Sequence, residues 1–141
     1  MTDAVQASGR TPTLVIGDSN SGRIAIDEEV PAFNAMEDGW MRRMEKLGWR
    51  DAFRLAHPAR REFTWYSPNG NNGFRIDQAF LHPQLVPRLT AIAHQWGGAT
   101  DGRRDQLSDH AALVLDLNVG PIAGLLPRDR SDSSPTRTRL T

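Results

Sequence analysis

The feature that most constrains the fold is the run Ser-Pro-Asn-Gly-Asn-Asn-Gly at residues 67–73. Pro, Asn and Gly favour turns because they supply a fixed or a positive φ. The run lies between residues 63–66 and residues 74–81, and both flanking segments are rich in aromatic and β-branched residues, which favour strands. The pattern therefore predicts a β-hairpin.

The rest of the chain alternates short apolar runs with helical patterns, which is typical of an α/β fold. A helix is expected at 37–47 with Gly48 as its stop, and a short one at 52–56 with Asp51 as its cap. Strands are expected at 13–17, 90–96 and 111–117, a short helix or turn at 83–89, and a polar loop at 97–106. Residues 1–12 are expected to be a polar tail and 119–141 a disordered one, which leaves a domain at 13–118.

Composition excludes several classes of protein. The 17 basic residues balance 17 acidic ones, so a uniformly basic nucleic-acid binder is not indicated, although a local basic face stays open. No cysteine is present, which excludes disulfides and thiolate metal sites. No apolar run is long enough to cross a membrane, and the first residues do not form a signal peptide. A cytoplasmic protein without membrane association is expected.

Asp18 and Asn20 follow the first predicted strand and are candidates for metal binding. In extended geometry residues i and i+2 point the same way, so a carboxylate and an amide oxygen would project together. Such oxygens suit a hard cation such as Mg²⁺. The alternative is an Asp-Ser-Asn turn in which the side chains bond their own backbone.

Asp77 lies inside an otherwise apolar strand, where carboxylates are depleted. One role for it is to accept a hydrogen bond from a histidine and support the imidazolium. The alternative is a solvent-facing carboxylate beside Arg75 on an edge strand. Asp109 and His110 precede the last strand and could supply a metal carboxylate and an acid/base imidazole. The alternative for them is a cap with a surface histidine.

Taken in order, four segments resemble the endonuclease/exonuclease/phosphatase superfamily, most closely exonuclease III and abasic-site endonucleases. The resemblance spans residues 13–117. Its segments are Leu-Val-Ile-Gly-Asp-Ser-Asn, Gly-Trp-Arg-Asp-Ala-Phe-Arg-Leu-Ala-His-Pro, Phe-Thr-Trp-Tyr-Ser before Phe-Arg-Ile-Asp, and Leu-Ser-Asp-His-Ala-Ala-Leu-Val-Leu-Asp-Leu. It implies the C-terminal half of a four-layer αββα sandwich, with one mixed β-sheet and flanking helices.

The resemblance also implies a metal-dependent phosphoester hydrolase, a nuclease acting on DNA, with Mg²⁺ or Mn²⁺ as cofactor. Asp18 and Asn20 would handle the metal and the attacking water, with Ser19 where a hydrophobic residue is commoner. Asp77 would orient the catalytic His110. The implied metal set is Asp18, Asn20, Asp109 and His110, and the implied substrate contacts are Asn20, Trp65 and Phe74, with the aromatic residues alternatively part of the core.

The sequence departs from the superfamily on its N-terminal side. Related enzymes carry there an Asn, a metal-binding Glu and often a Tyr, and residues 1–12 offer no replacement for that Glu. The inner face of the sheet would then be exposed. The expectations are a gene fragment or mis-called start, a complementing chain, or self-association. An inactive remnant or binding module, and a phosphatase acting on a small or lipid substrate, are the alternative functions.

Overall fold

The computed structural model describes residues 12–96 and 108–120. The predicted loop at 97–106 and nearly all of the two predicted tails lie outside the described residues. Seven strands, two α-helices and a 3₁₀ helix (Pro83–Arg88) are described. The helices are α1 (Ala35–Lys46) and α2 (Ala52–Ala56). The strands are β1 (Leu14–Asp18), β2 (Arg50–Asp51), β3 (Trp65–Tyr66), β4 (Gly73–Phe74), β5 (Asp77–Leu81), β6 (Leu89–Gln95) and β7 (Ala112–Leu117).

Side-chain caps define where the helices begin. Asn34 accepts from the backbone N–H groups of Met36 and Glu37, and the Glu37 carboxylate accepts from the backbone N–H of Asn34. This capping box starts α1 two residues earlier than the sequence pattern predicted. Gly48 follows the helix with φ +89°, which is the predicted glycine stop. The predicted cap at Asp51 and the predicted bounds of the second helix are confirmed.

The strands form three small antiparallel sheets, and every strand pairing among the described residues is antiparallel. The strand orders are β1-β5-β2, β3-β4 and β6-β7. The expectation of one mixed sheet is therefore wrong for this part of the chain. For β3 and β4 the antiparallel pairing follows from the short turn between them, which reverses the chain.

The predicted second strand of the hairpin is interrupted at Arg75 and Ile76. The backbone N–H of Arg75 donates to the carbonyl of Asp27 at 2.8 Å, which removes it from the β3-β4 ladder. The N–H groups of Ile76 and Asp77 donate instead to the hydroxyl of Thr64. The predicted hairpin is confirmed, but it is formed by β3 and β4 alone, and β5 joins a different sheet.

The apolar core lies on both sides of β5. Phe53 and Leu81 belong to the cluster between α2, β5 and β6, and Phe80 belongs to the cluster beneath α1. Ala79 and Phe80 are buried on opposite sides because successive strand residues alternate. β5 is thus fixed on both faces, which holds its first residue, Asp77, in a defined position. No helix among the described residues is long and apolar enough to cross a membrane.

A buried ion cluster joins three distant segments at Arg75, whose side chain is fully buried. Its guanidinium donates to Asp27 at 2.7 Å and to Asp51 at 2.6 Å. Arg54 also donates to Asp27. Burial raises the pKa of Asp27, but the charge and hydrogen bonds of Arg75, followed by Arg54, outweigh it and lower that pKa overall. The cluster ties the loop before α1 to α2 and to the chain just before Asp77.

His94 is buried in β6, with only one ring nitrogen bonded. Its Nδ1 lies 2.8 Å from Oε1 of Glu62, whereas its Nε2 is buried and has no hydrogen-bond partner. Burial lowers the pKa of His94 below its ordinary value of 6.5, against the opposing effect of Glu62. Folding therefore favours the neutral form of this imidazole.

Acid should consequently destabilise the fold through His94. In the unfolded chain, His94 binds a proton near pH 6.5, whereas the buried imidazole of the folded protein binds it less readily. The free energy of unfolding therefore falls as pH drops below that value. In urea unfolding, wild type should lose stability as pH falls below about 6.5, by at most about 1.4 kcal/mol per pH unit. His94→Phe should remove this part of the slope, whereas His57→Gln should keep it. Equal slopes for wild type and His94→Phe would contradict the assignment.

Candidate active site

The segment after β1 forms a tight turn rather than an extended strand. Oδ1 of Asp18 accepts a hydrogen bond from the backbone N–H of Asn20 at 2.9 Å. Asn20 has φ +46°, in the left-handed region that Asn tolerates better than most residues. The expectation that both side chains project together in extended geometry is therefore wrong, because Asn20 leaves the strand conformation. The turn alternative describes the backbone here, and both residues remain exposed.

Asp18 lies directly across the sheet from Asp77. The two residues are paired in the antiparallel register of β1 and β5. Opposed residues in such a pair project from the same face, so the two carboxylates face one region. Cross-strand pairing in this antiparallel sheet is what brings Asp18 to Asp77.

Asp77 is hydrogen-bonded to His110. Oδ2 of Asp77 lies 2.9 Å from Nδ1 of His110, and the two side chains are 14% and 28% exposed. An ionised carboxylate only accepts, so Nδ1 carries the proton and Nε2 is directed away from Asp77. The alternative, in which Asp77 faces solvent beside Arg75, is wrong. Asp77 bonds His110, and Arg75 points away into the buried cluster with Asp27 and Asp51.

Trp65 connects His110 with Asp109. Its indole Nε1 donates to Oδ2 of Asp109 at 3.2 Å, and its ring lies 6.2 Å from the His110 ring. Phe74 lies on the other side, with its ring 5.9 Å from that of Trp65. Both aromatic side chains are partly buried. They form a wall beside the imidazole, so they can contact a substrate and also hold the histidine in place.

Thr64 positions both members of the Asp77–His110 pair, although nothing in the sequence pattern singled it out. Its buried hydroxyl accepts from the backbone N–H groups of Ile76 and Asp77, at 3.0 and 3.1 Å. Its carbonyl accepts from the N–H of Ala111 at 2.8 Å. One residue of the hairpin thereby fixes the backbone on each side of the pair.

The donor chemistry of the site fits a divalent cation such as Mg²⁺. Among the described residues, no three His, Asp or Glu side chains come close enough together to hold a metal ion. Mg²⁺ nevertheless commonly binds proteins through one or two carboxylates and fills its remaining positions with water and substrate phosphate. Asp18 and Asp109 are exposed carboxylates and Asn20 is an exposed amide, so each offers an oxygen of the kind that Mg²⁺ binds.

Solved structures with a similar fold include a 3′ phosphatase, an exonuclease and an AP endonuclease. No family model matches the chain, and no curated protein matches its sequence. A 3′ phosphatase, NExo from Neisseria, bound to a product DNA hairpin, matches with a TM-score of 0.66 and 20% identity over 82% of this chain and 48% of its own. The 3′-5′ exonuclease NExo from Neisseria meningitidis matches with 0.65 and 20% over 80% and 48%.

An AP endonuclease from Archaeoglobus fulgidus matches with a TM-score of 0.65 and 25% identity, over 78% of this chain and 47% of its own. The chain has the fold of the endonuclease/exonuclease/phosphatase superfamily. The predicted resemblance to this superfamily is thereby confirmed. The superfamily fold is matched in part, because the chain spans about half the length of these three structures.

Proposed function

We propose that this protein is a metal-dependent phosphoester hydrolase that acts on DNA as a nuclease. The observation that carries the proposal is the hydrogen bond between Asp77 and His110 at 2.9 Å, with Asp18 directly opposite on the neighbouring strand. An imidazole held by a carboxylate next to a second, exposed carboxylate is an arrangement suited to acid/base chemistry on a phosphoester.

In the proposed mechanism each side chain has a separate task. Asp77 holds the Nδ1 proton of His110 and stabilises the imidazolium, so that Nε2 donates a hydrogen bond to a phosphate oxygen. Asp18 orients the attacking water and accepts its proton, while the Asn20 amide bonds the phosphate. A Mg²⁺ or Mn²⁺ ion, held through Asp18, Asp109 and the Asn20 amide oxygen, would offset the negative charge that develops on the phosphate and leaving group. His110 is not among these ligands, because its Nδ1 faces Asp77 and its Nε2 donates to the phosphate.

DNA is the proposed substrate because of the aromatic wall and the structural neighbours. One neighbour was solved with a product DNA hairpin, and another is named an AP endonuclease. Trp65 and Phe74 present aromatic rings beside the imidazole. Aromatic side chains stack on nucleobases with little regard to sequence, which suits contact with an unpaired or displaced nucleotide.

We also propose that residues 13–118 are the C-terminal half of a four-layer αββα sandwich. The match to about half of each neighbour supports this assignment. The second sheet would come from a further segment of a longer polypeptide, from a complementing polypeptide or from a second copy. Ile16 on β1, which is 49% exposed, is one apolar residue that such a sheet would cover.

A DNA-binding module without turnover is the second candidate function. The observation that favours it is that no three metal-binding side chains converge among the described residues. Such a module would use the same aromatic wall and exposed turn to hold DNA. It would show affinity for DNA without cleaving it.

The two candidates and the small-substrate phosphatase separate in one set of assays. Purified protein is offered a duplex with one abasic site, a duplex with a 3′ phosphate, and p-nitrophenyl phosphate, each with Mg²⁺. DNA affinity is measured in parallel by fluorescence anisotropy. The proposal expects cleavage of a DNA substrate and little turnover of the small phosphoester. DNA binding without cleavage would support the module, and turnover of the small phosphoester alone would support the phosphatase.

A further inference from the structure

A second set of polar contacts joins the Asp18 turn to the Asp77 segment, and it uses neither of those carboxylates. The hydroxyl of Ser19 lies 3.1 Å from the carbonyl of Ile76 and 3.1 Å from Oε1 of Gln78. The backbone N–H of Ser19 donates to the same Ile76 carbonyl at 2.9 Å. Ser19 is therefore attached to the Asp77 segment through both its backbone and its side chain.

Gln78 completes this set of contacts from a fully enclosed position, with only 2% of its surface exposed. Its Nε2 donates to the carbonyl of Ser21 at 2.9 Å and to the carbonyl of Arg75 at 3.1 Å. Both amide hydrogens and the amide oxygen of Gln78 are thus used. The opposite amide orientation would place its oxygen against two carbonyls, so the surroundings select the orientation described.

The position of these contacts relates them to the candidate site. Gln78 follows Asp77 in β5, and successive strand residues point to opposite faces, so Gln78 lies behind the face that carries Asp77. In the register, Gln78 is paired with Gly17 and Asp77 with Asp18. A contact from Gln78 to Ser19 consequently runs diagonally behind the Asp18–Asp77 pair and spans both strands.

A loss of these contacts would release the turn that carries Asp18 and Asn20. That turn contains a residue with φ +46°, and its other bonds are local: Asn20 N–H donates to Asp18, and Ser19 and Ser21 bond each other. Catalytic groups must be held within about 0.5 Å of their productive positions, and a displacement of about 1 Å can cost about 10²-fold in rate. A buried side chain that fixes the turn to β5 has the means to set that spacing.

We propose that Ser19 and Gln78 are positioning residues that fix the distance between the Asp18–Asn20 turn and the Asp77–His110 pair. The role rests on the proposed hydrolase function. Neither side chain contacts the substrate, so both act through the residues they hold. Their removal lowers kcat more than it raises KM, because Asn20 moves with the turn whereas the aromatic wall at Trp65 and Phe74 is untouched.

The kinetic test is a double-mutant cycle of Ser19→Ala and Gln78→Met. Each single variant should lower kcat by about 10-fold with KM within about twofold, and the double variant should be no worse than the poorer single one. Ser19→Thr, which keeps the hydroxyl, should recover most of kcat. Thr90→Val removes a comparable hydroxyl bond, from Thr90 to the Asp116 carbonyl in the β6-β7 sheet, and should leave kcat unchanged. Additive losses or an unchanged kcat would overturn the proposal.

A second readout keeps the proposal separate from the hydrolase function. Amide hydrogen exchange at Ser19, Asn20 and Ser21 reports the turn directly, without any substrate. In Gln78→Met these amides should exchange at least about 10-fold faster, while β6 amides such as Ile92 stay protected. If wild type cleaves nothing, the hydrolase function fails, yet faster exchange would still support the positioning contacts. Unchanged exchange in Gln78→Met would overturn them whatever the activity.

Discussion

Asp77→Asn is expected to lower the rate of DNA cleavage by about 10²- to 10⁴-fold. The amide keeps the size of the carboxylate but loses its charge, so it no longer stabilises an imidazolium at His110, 2.9 Å away. His110 then donates more weakly to the phosphate, and charge that develops on the phosphate is less well compensated. Initial rates at saturating substrate and Mg²⁺ measure the effect.

The control for this variant is Asp116→Asn, which removes an exposed carboxylate near the end of β7 that lies away from His110. It should cleave like wild type. The double variant of Asp77→Asn with His110→Ala should be no slower than His110→Ala alone, because residues that act as a unit are not additive. If Asp77→Asn cleaves DNA at a rate within about twofold of wild type, the role given to the Asp77–His110 pair is refuted.

The largest expected loss of stability follows from Arg75→Leu. It should lower the free energy of unfolding by about 3–5 kcal/mol, because Asp27 and Asp51 are left buried without their cation. Burial is the largest single effect on the pKa of Asp27 and raises it, but Arg75, together with Arg54 and the backbone N–H of Arg23, outweighs burial and lowers that pKa in the folded protein. Stability from this carboxylate is present above its ordinary value of 3.8 and is lost as pH falls through the lowered pKa.

Urea unfolding at neutral pH measures the loss, with Arg42→Leu as the matched control. Arg42 pairs with Asp38 on α1, but its side chain is 56% exposed, so water replaces the lost partner. The Arg42 variant should remain close to wild type. Similar unfolding curves for the two arginine variants would show that the buried cluster is not what holds the loop before α1 to the sheet.

Local signals in the sequence predicted the parts of the fold that short-range interactions determine. Asp51 caps α2 through the N–H groups of Phe53 and Arg54, two and three residues away, and the helix occupies the predicted range. Gly48 ends α1 because its positive φ is available to glycine at little cost. The turn at 67–73 joins β3 and β4 as its residue types indicated.

Long-range pairing determined what the sequence could not show. Arg75 finds Asp27 and Asp51 at separations of 48 and 24 residues, and no periodic pattern points to either partner. No periodic pattern points to Thr64 either, although its hydroxyl accepts the hydrogen bond from the backbone N–H of Asp77. Because these bonds divert the backbone between β4 and β5, a continuous strand was expected where the structure has two.

The candidate site shows the same division. The order of the four sequence motifs identified the candidate residues, such as Asp18, Asp77 and His110. The geometry between them depends on the register of β1 against β5, which sets Asp18 opposite Asp77, and on the left-handed conformation at Asn20. Extended geometry at residues 18–20 was the wrong premise, since the Asp18 side chain bonds the backbone of Asn20.

The most direct test of the hydrolase proposal is the initial rate at which purified protein cleaves abasic-site DNA with Mg²⁺, compared with His110→Ala and with excess EDTA. His82→Ala serves as the matched control, because His82 caps the 3₁₀ helix and lies outside the candidate site. The proposal predicts cleavage by wild type and His82→Ala, abolished by EDTA and lowered by about 10²-fold or more in His110→Ala. Folded wild type that cleaves no faster than His110→Ala would contradict it.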